Sequence, residues 1–203
     1  MQLETKAAKI AYVAGLTIAL SGLGSWAVLA HQDNGTSAQA RAVATDARFA
    51  RAAAQGGLTE IQLGKLASAR GSNEAVKAFG ERMVVQHGAA GDQLKAAAQK
   101  EGVSLPDGLG SKGQQVYDRL AKLSGSAFDR AYAKDMVEDH EKDLADFQNE
   151  ANTGNDEAIK GFAVQTIPMI EEHLNQAREM LKTVSQTSLR QTPGHAVGRS
   201  AGR

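Results

Sequence analysis

The 203-residue sequence contains no cysteine. That excludes disulfides, thiolate metal sites, iron–sulfur clusters and a lipid-modified N-terminal cysteine. Aromatic residues are scarce, at 4%, while alanine is abundant. This composition favours helix packed closely on helix over a β-sandwich. No charge of one sign is in excess: 23 basic and 23 acidic residues give a formal net charge of zero. No global field therefore draws the chain to nucleic acid or to an acidic partner. A nucleophile constellation, a phosphate loop and a nucleotide fingerprint are all missing, which leaves hydrolase and nucleotide-dependent activities without support.

What is present is a repeated spacing. Met83-x-x-x-His87, Met136-x-x-x-His140 and Met169-x-x-x-His173 together hold three of the five histidines. A gap of four puts both residues on one face of a helix, one turn apart. Each pair lies on the apolar stripe of its helix, so three helices are expected to aim an imidazole into one interior. The other two histidines, His31 and His195, fall in a linker and a tail and carry no assignment.

In chain order, Lys6 and Lys9 precede an uncharged run from Ile10 to Ala30. Residues 1–30 are read as a signal peptide or a membrane anchor, outside the fold. Val28-Leu29-Ala30 suits cleavage, whereas the length of the run suits a retained span. Residues 31–42 are polar and are read as a linker. The bundle domain is expected over residues 43–185, followed by a disordered tail at 186–203 that carries Pro193.

Within the domain, apolar residues recur at gaps of three and four. They predict long helices over about 43–70, 72–101, 126–152 and 156–185, with a short one near 112–123. Gly71-Ser72-Asn73 ends the first helix and caps the second. Ser111-x-x-Gln114 and Ser126-x-x-Asp129 look like capping boxes. Asn155, Asp156 and Glu157 suit the start of the last helix. Pro168 inside that helix predicts a kink one turn before His173. Glu60 falls on the inner stripe of the first helix, where a carboxylate is costly unless paired, hydrogen-bonded or bound to a cation. The segments around Met83 and Met136 look like copies, so two hairpins are expected to pair into an antiparallel four-helix bundle. The fold class is all-α, with a separate N-terminal hydrophobic segment.

Several stretches carry a family resemblance: Gly57 to Ala67, Phe79 to His87, Leu123 to Tyr132, Asp139 to Asp143, and Ile167-Pro168 followed by His173-Leu174. Over Phe49 to Leu181 the chain resembles the bacterial exported family 4142 of domains of unknown function. That resemblance implies a ferritin-like helical bundle and export, with no agreed activity. The di-iron pattern of ferritin-like proteins needs a Glu three residues before two of the histidines. Here Val84 and Ile170 stand at those positions, so a di-iron oxidase is not expected.

The candidate metal ligands are therefore Glu60, His87, His140 and His173, with Asp143 as a supporting acceptor. Imidazole suits copper, zinc and iron, and thioether would shift the preference toward copper. Two readings stay open. One is a metal-binding bundle of the bacterial periplasm or cell envelope, held to the inner membrane through residues 10–30 if these are uncleaved; a metallo-oxidase is a sub-case that needs an open coordination position. The other is a non-catalytic structural or interaction module whose histidines only pack. No catalytic residue and no protein partner is assigned.

Overall fold

The computed structural model describes residues 33–191. Among these residues every regular element is a helix: α1 (Asp33–Arg70), α2 (Glu74–Lys100), α3 (Gly110–Leu120), α4 (Gly125–Thr153) and α5 (Glu157–Gln191). Short turns join α1 to α2 and α4 to α5, so each pair is an antiparallel hairpin, and the described residues form an all-α bundle of five helices. The Ile10–Ala30 run and residues 192–203 lie outside the described residues. Within the described residues, no helix is long and apolar enough to cross a membrane.

Two boundaries differ from the sequence expectation. Helix α1 begins at Asp33, so most of the stretch read as a linker is helical. It contains no proline, and its alanines, Gln39 and Arg41 are strong helix formers that outweigh Gly35. Helix α5 continues to Gln191, into the stretch read as a tail, and it runs through Pro168 as one helix.

The caps are partly as expected. Asn73 is extended and its side chain accepts from the Ala75 amide at 2.9 Å. Asp156 accepts from the amides of Ala158 and Ile159, both at 3.0 Å. The two expected capping boxes are absent. Helix α3 starts at Gly110 after Leu109, with no side-chain cap, and α4 starts at Gly125 after Ser124. Gly110 and Gly125 have φ of 67° and 56°, a left-handed conformation that glycine adopts without steric cost. The backbone therefore makes the corner that Ser111 and Ser126 were expected to mark.

Asp129, freed from that capping role, does something else. Its Oδ1 accepts from the Ser72 amide at 2.9 Å and its Oδ2 from the Ser72 hydroxyl. A residue of α4 thus holds the α1–α2 turn. The converse contact exists at the other end: Asp46 of α1 accepts from the amides of Asn155 and Asp156, at 2.8 and 2.7 Å, in the α4–α5 turn. Each hairpin pins the turn of the other. Within the first hairpin, α1 and α2 meet at Gly64 and Gly80. A Cβ on either would lie 2.5–2.6 Å from the other's carbonyl oxygen, so only glycine allows this approach.

The core has two apolar parts. Toward the α1–α2 turn lie Leu63, Phe79, Met83, Phe128, Tyr132, Met136 and Met180. Toward the α4–α5 turn lie Ala50, Leu94, Phe147, Ile159, Phe162 and Ile170. Between these two stretches each of the long helices places a buried ionisable residue, Glu60, His87, His140 or His173, with buried Thr59 next to Glu60.

Candidate metal centre

The four residues come together. The three imidazoles have ring centroids 5.2–5.9 Å apart, and each offers a nitrogen within 4.8 Å of the others. His140 Nε2 lies 3.3 Å from His173 Nδ1. Glu60 reaches both sides, with Oε2 2.9 Å from His87 Nδ1 and Oε1 3.4 Å from His140 Nε2. His140, His173 and Glu60 are fully buried and His87 nearly so. Phe79 closes the layer on the side of the α1–α2 turn, edge-on to both His140 and His173.

The hydrogen-bond partners place the protons, with the Gln86 amide oxygen turned toward His173. His140 Nδ1 lies 2.9 Å from the Met136 carbonyl oxygen, which can only accept. Nδ1 therefore donates, and Nε2 presents a lone pair. His173 Nε2 donates to the Gln86 side-chain oxygen, so His173 Nδ1 presents a lone pair too. These two bare nitrogens face each other, and Glu60 Oε1, which makes no hydrogen bond, stands beside them. Three acceptors crowd one point with no donor among them.

Electrostatics points the same way. Burial, opposed by His140 and reinforced by Asp139, pushes the Glu60 carboxyl up to about 8. Burial lowers His87 to about 4, against the pull of Asp143 and Asp139. His173 falls to about 3, through burial and then its two neighbouring imidazoles. His140 is also lowered, chiefly by burial. The Glu60–His87 contact is therefore a neutral hydrogen bond at pH 7, with the proton on the carboxyl, and all three imidazoles are uncharged. Neutral imidazole is the form that binds metal.

The spacing suits a first-row ion. Bonds of 2.0–2.1 Å in a tetrahedron place neighbouring ligand atoms roughly 3.3 Å apart. The 3.3 Å between the two bare nitrogens and the 3.4 Å to Glu60 Oε1 match that span.

The methionines have a different place. Met83 and Met136 are filler in the apolar cluster next to the site, and Met169 is only half-buried and joins neither cluster. On α5 the buried positions run Phe162, Thr166, Ile170, His173, so Ile170 holds the inward position that was expected for Met169. At His140 the four-residue spacing works through the backbone. The residue one turn earlier supplies its carbonyl, which any residue type would do.

Gln86 and Asp139 were not singled out from sequence. Gln86 orients His173, yet an amide between Val85 and His87 gives no periodic signal. Asp139 neighbours His140 at a position where the helical period predicts solvent. It forms a second group with Glu60 and Asp143, whose oxygens also lie within 4.8 Å of one another. A cleft of about 930 Å³ opens beside the layer, lined by Glu60, His87 and Asp143 at one end and by Leu94, Phe147 and Phe162 along its apolar wall.

Residues 31–180 match the family model described as a domain of unknown function, DUF4142. No curated protein and no solved structure matches the chain.

Proposed function

We propose that this chain, which belongs to the DUF4142 family, is a metal-binding helical bundle that holds one first-row transition ion between Glu60, His87, His140 and His173. The observation that carries the reading is the meeting of two bare imidazole nitrogens and an unpartnered carboxyl oxygen in a buried layer. Buried acceptors without donors are costly, and a cation resolves all three at once. Helices α1, α2, α4 and α5 form in this reading a ferritin-like four-helix bundle, with α3 as an accessory. Three nitrogens and one oxygen suit zinc, copper or iron. Bridging carboxylates of the di-iron type are absent at Val84 and Ile170, which favours storage, buffering or redox protection over oxygen chemistry. The uncharged Ile10–Ala30 run supports export to a periplasm or envelope, with anchoring to the inner membrane if the run is retained.

The test is metal uptake by the purified full-length chain, titrated with Zn2+, Cu2+ and Fe2+. One ion should bind per chain, and His140→Gln, which keeps bulk and some hydrogen bonding, should weaken it by roughly a hundredfold or more. Equally weak binding of all three ions by both proteins would leave the histidines as core residues of a structural or interaction module.

A further inference from the structure

The two ends of the bundle are pinned by different chemistry. At the α1–α2 turn both Asp129 oxygens are taken by Ser72. At the α4–α5 turn a single oxygen of Asp46, Oδ2, accepts from the amides of both Asn155 and Asp156. Its Oδ1 is buried without a hydrogen-bond partner, and so is Oε1 of Glu150 on α4. Both residues lie inside the protein, Asp46 1% and Glu150 2% exposed. Glu150 folds back over the same turn: a Cβ on Gly154 would lie 2.6 Å from its Oε1, so the glycine leaves room for the carboxyl. Two buried carboxyls at one turn are costly if both are ionised. The charge is better placed on Asp46, to which two amides donate. Glu150 Oε1 has no donor, so Glu150 is the member that holds a proton. The charged groups that face Glu150 are Asp46 from α1, Asp156 and Lys160 from the start of α5, and, through its hydrogen bond to Asp156, Glu101 at the end of α2. Burial, then the charges of Asp46 and Asp156, push the Glu150 carboxyl up to about 7, against the pull of Lys160.

We propose that the α4–α5 turn is a latch released by alkali. While Glu150 carries its proton, the Asp46 carboxylate holds the turn through the Asn155 and Asp156 amides. When Glu150 loses it, two buried negative charges face each other across the turn, and the turn loosens. The release is local. At the opposite end Asp129 has a donor for each oxygen, so the α1–α2 turn stays closed over the same pH range. The end that loosens is the one that carries the cleft: Phe147, one turn before Glu150 on the buried face of α4, forms part of its apolar wall. The latch does not depend on the histidine layer, whose residues lie outside this group.

The test is amide hydrogen exchange of the purified full-length chain, followed by NMR at about pH 6 and about pH 8.5 and corrected for intrinsic rates. An opening that wets Glu150 returns it to its ordinary 4.5. Proton linkage then lowers the protection of the Asn155 and Asp156 amides, relative to the Ser72 amide, by roughly tenfold over that interval. Glu150→Gln, which keeps the shape of the protonated carboxyl, should abolish the drop. A wild type in which the ratio stays constant overturns the proposal, as does a drop that persists in Glu150→Gln. The carboxyl carbon shift of Glu150 in the wild type needs no variant. A midpoint near 7 supports the latch, and a midpoint in the ordinary range near 4.5 overturns it.

Discussion

Two buried polar regions of this bundle are treated differently. Asp129 is 2% exposed, and both of its oxygens accept hydrogen bonds from Ser72. It is a closed arrangement that ties one hairpin to the turn of the other. The layer of Glu60, His87, His140 and His173 is equally buried but open in its hydrogen bonding. The outer nitrogens of His140 and His173 are anchored by the Met136 carbonyl and Gln86, while their inner nitrogens and Glu60 Oε1 face one another without a proton between them, and His87 Nε2 has no hydrogen-bond partner. The first arrangement needs nothing further to be stable. The second, in the function proposed above, is completed by a cation. Burial alone therefore does not mark a site; the direction of the lone pairs does.

The largest effect that separates the two regions is stabilisation by metal. At a free Zn2+ concentration a thousandfold above Kd, binding contributes about 4 kcal/mol. For a domain of this size that is on the order of 10 °C in Tm. Calorimetry should find this rise in the wild type and lose it in His140→Gln. Asp129→Ala should show the reverse pattern. Losing charged hydrogen bonds to the Ser72 backbone and hydroxyl costs about 2–4 kcal/mol, yet the zinc-induced rise should survive. If Asp129→Ala also lost the rise, the two regions would not be independent.

A smaller effect is the pH dependence of the metal-free protein. His87 and His173 have folded values near 4 and 3, below the ordinary 6.5. Their contribution is fully present above 6.5 and is lost as pH falls through those values. Glu60 is raised to about 8, so its contribution is present below about 4.5 and is lost as pH rises toward 8. Below pH 6.5 the histidine gain is opposed by Glu60 and by the other raised carboxyls, Glu150, Asp139 and Asp143; above 6.5 only the carboxyl losses remain, so denaturant stability should fall from pH 6.5 to 8. Metal loading removes the Glu60 proton and should shrink the alkaline decline to what Glu150, raised to about 7, contributes. A metal-free protein whose stability rises steadily from pH 6.5 to 8 would contradict the protonated Glu60.

The smallest effect should come from Met169→Leu. A half-buried methionine outside both apolar clusters should change stability by less than about 1 kcal/mol and leave Cu(I) affinity unaltered. A tenfold loss of Cu(I) affinity would return the thioether to the site.

The sequence made the histidine layer legible because helical periodicity reports which face a residue occupies. Glu60, His87, His140 and His173 all lie on inner stripes, and counting from the turns puts the three histidines at similar heights. Periodicity does not say what a side chain meets across the bundle. Gln86 orients a histidine on another helix, and Asp129 leaves its expected cap to bond a turn 57 residues away; both contacts depend on tertiary geometry. Met169 was misplaced because gaps of three and four are both helical, and α5 takes a gap of four between Thr166 and Ile170. The start of α1 was missed because polar composition resembles a linker even where Ala, Gln and Arg favour a helix.

The central claim is that the layer is a coordination shell, and X-ray absorption at the zinc edge of the loaded, dialysed full-length protein tests it most directly. The account predicts one retained zinc with four nitrogen and oxygen neighbours at about 2.0–2.1 Å and the outer-shell scattering of several imidazoles. Zinc lost on dialysis, or retained with a water-dominated shell and no imidazole signature, would contradict it.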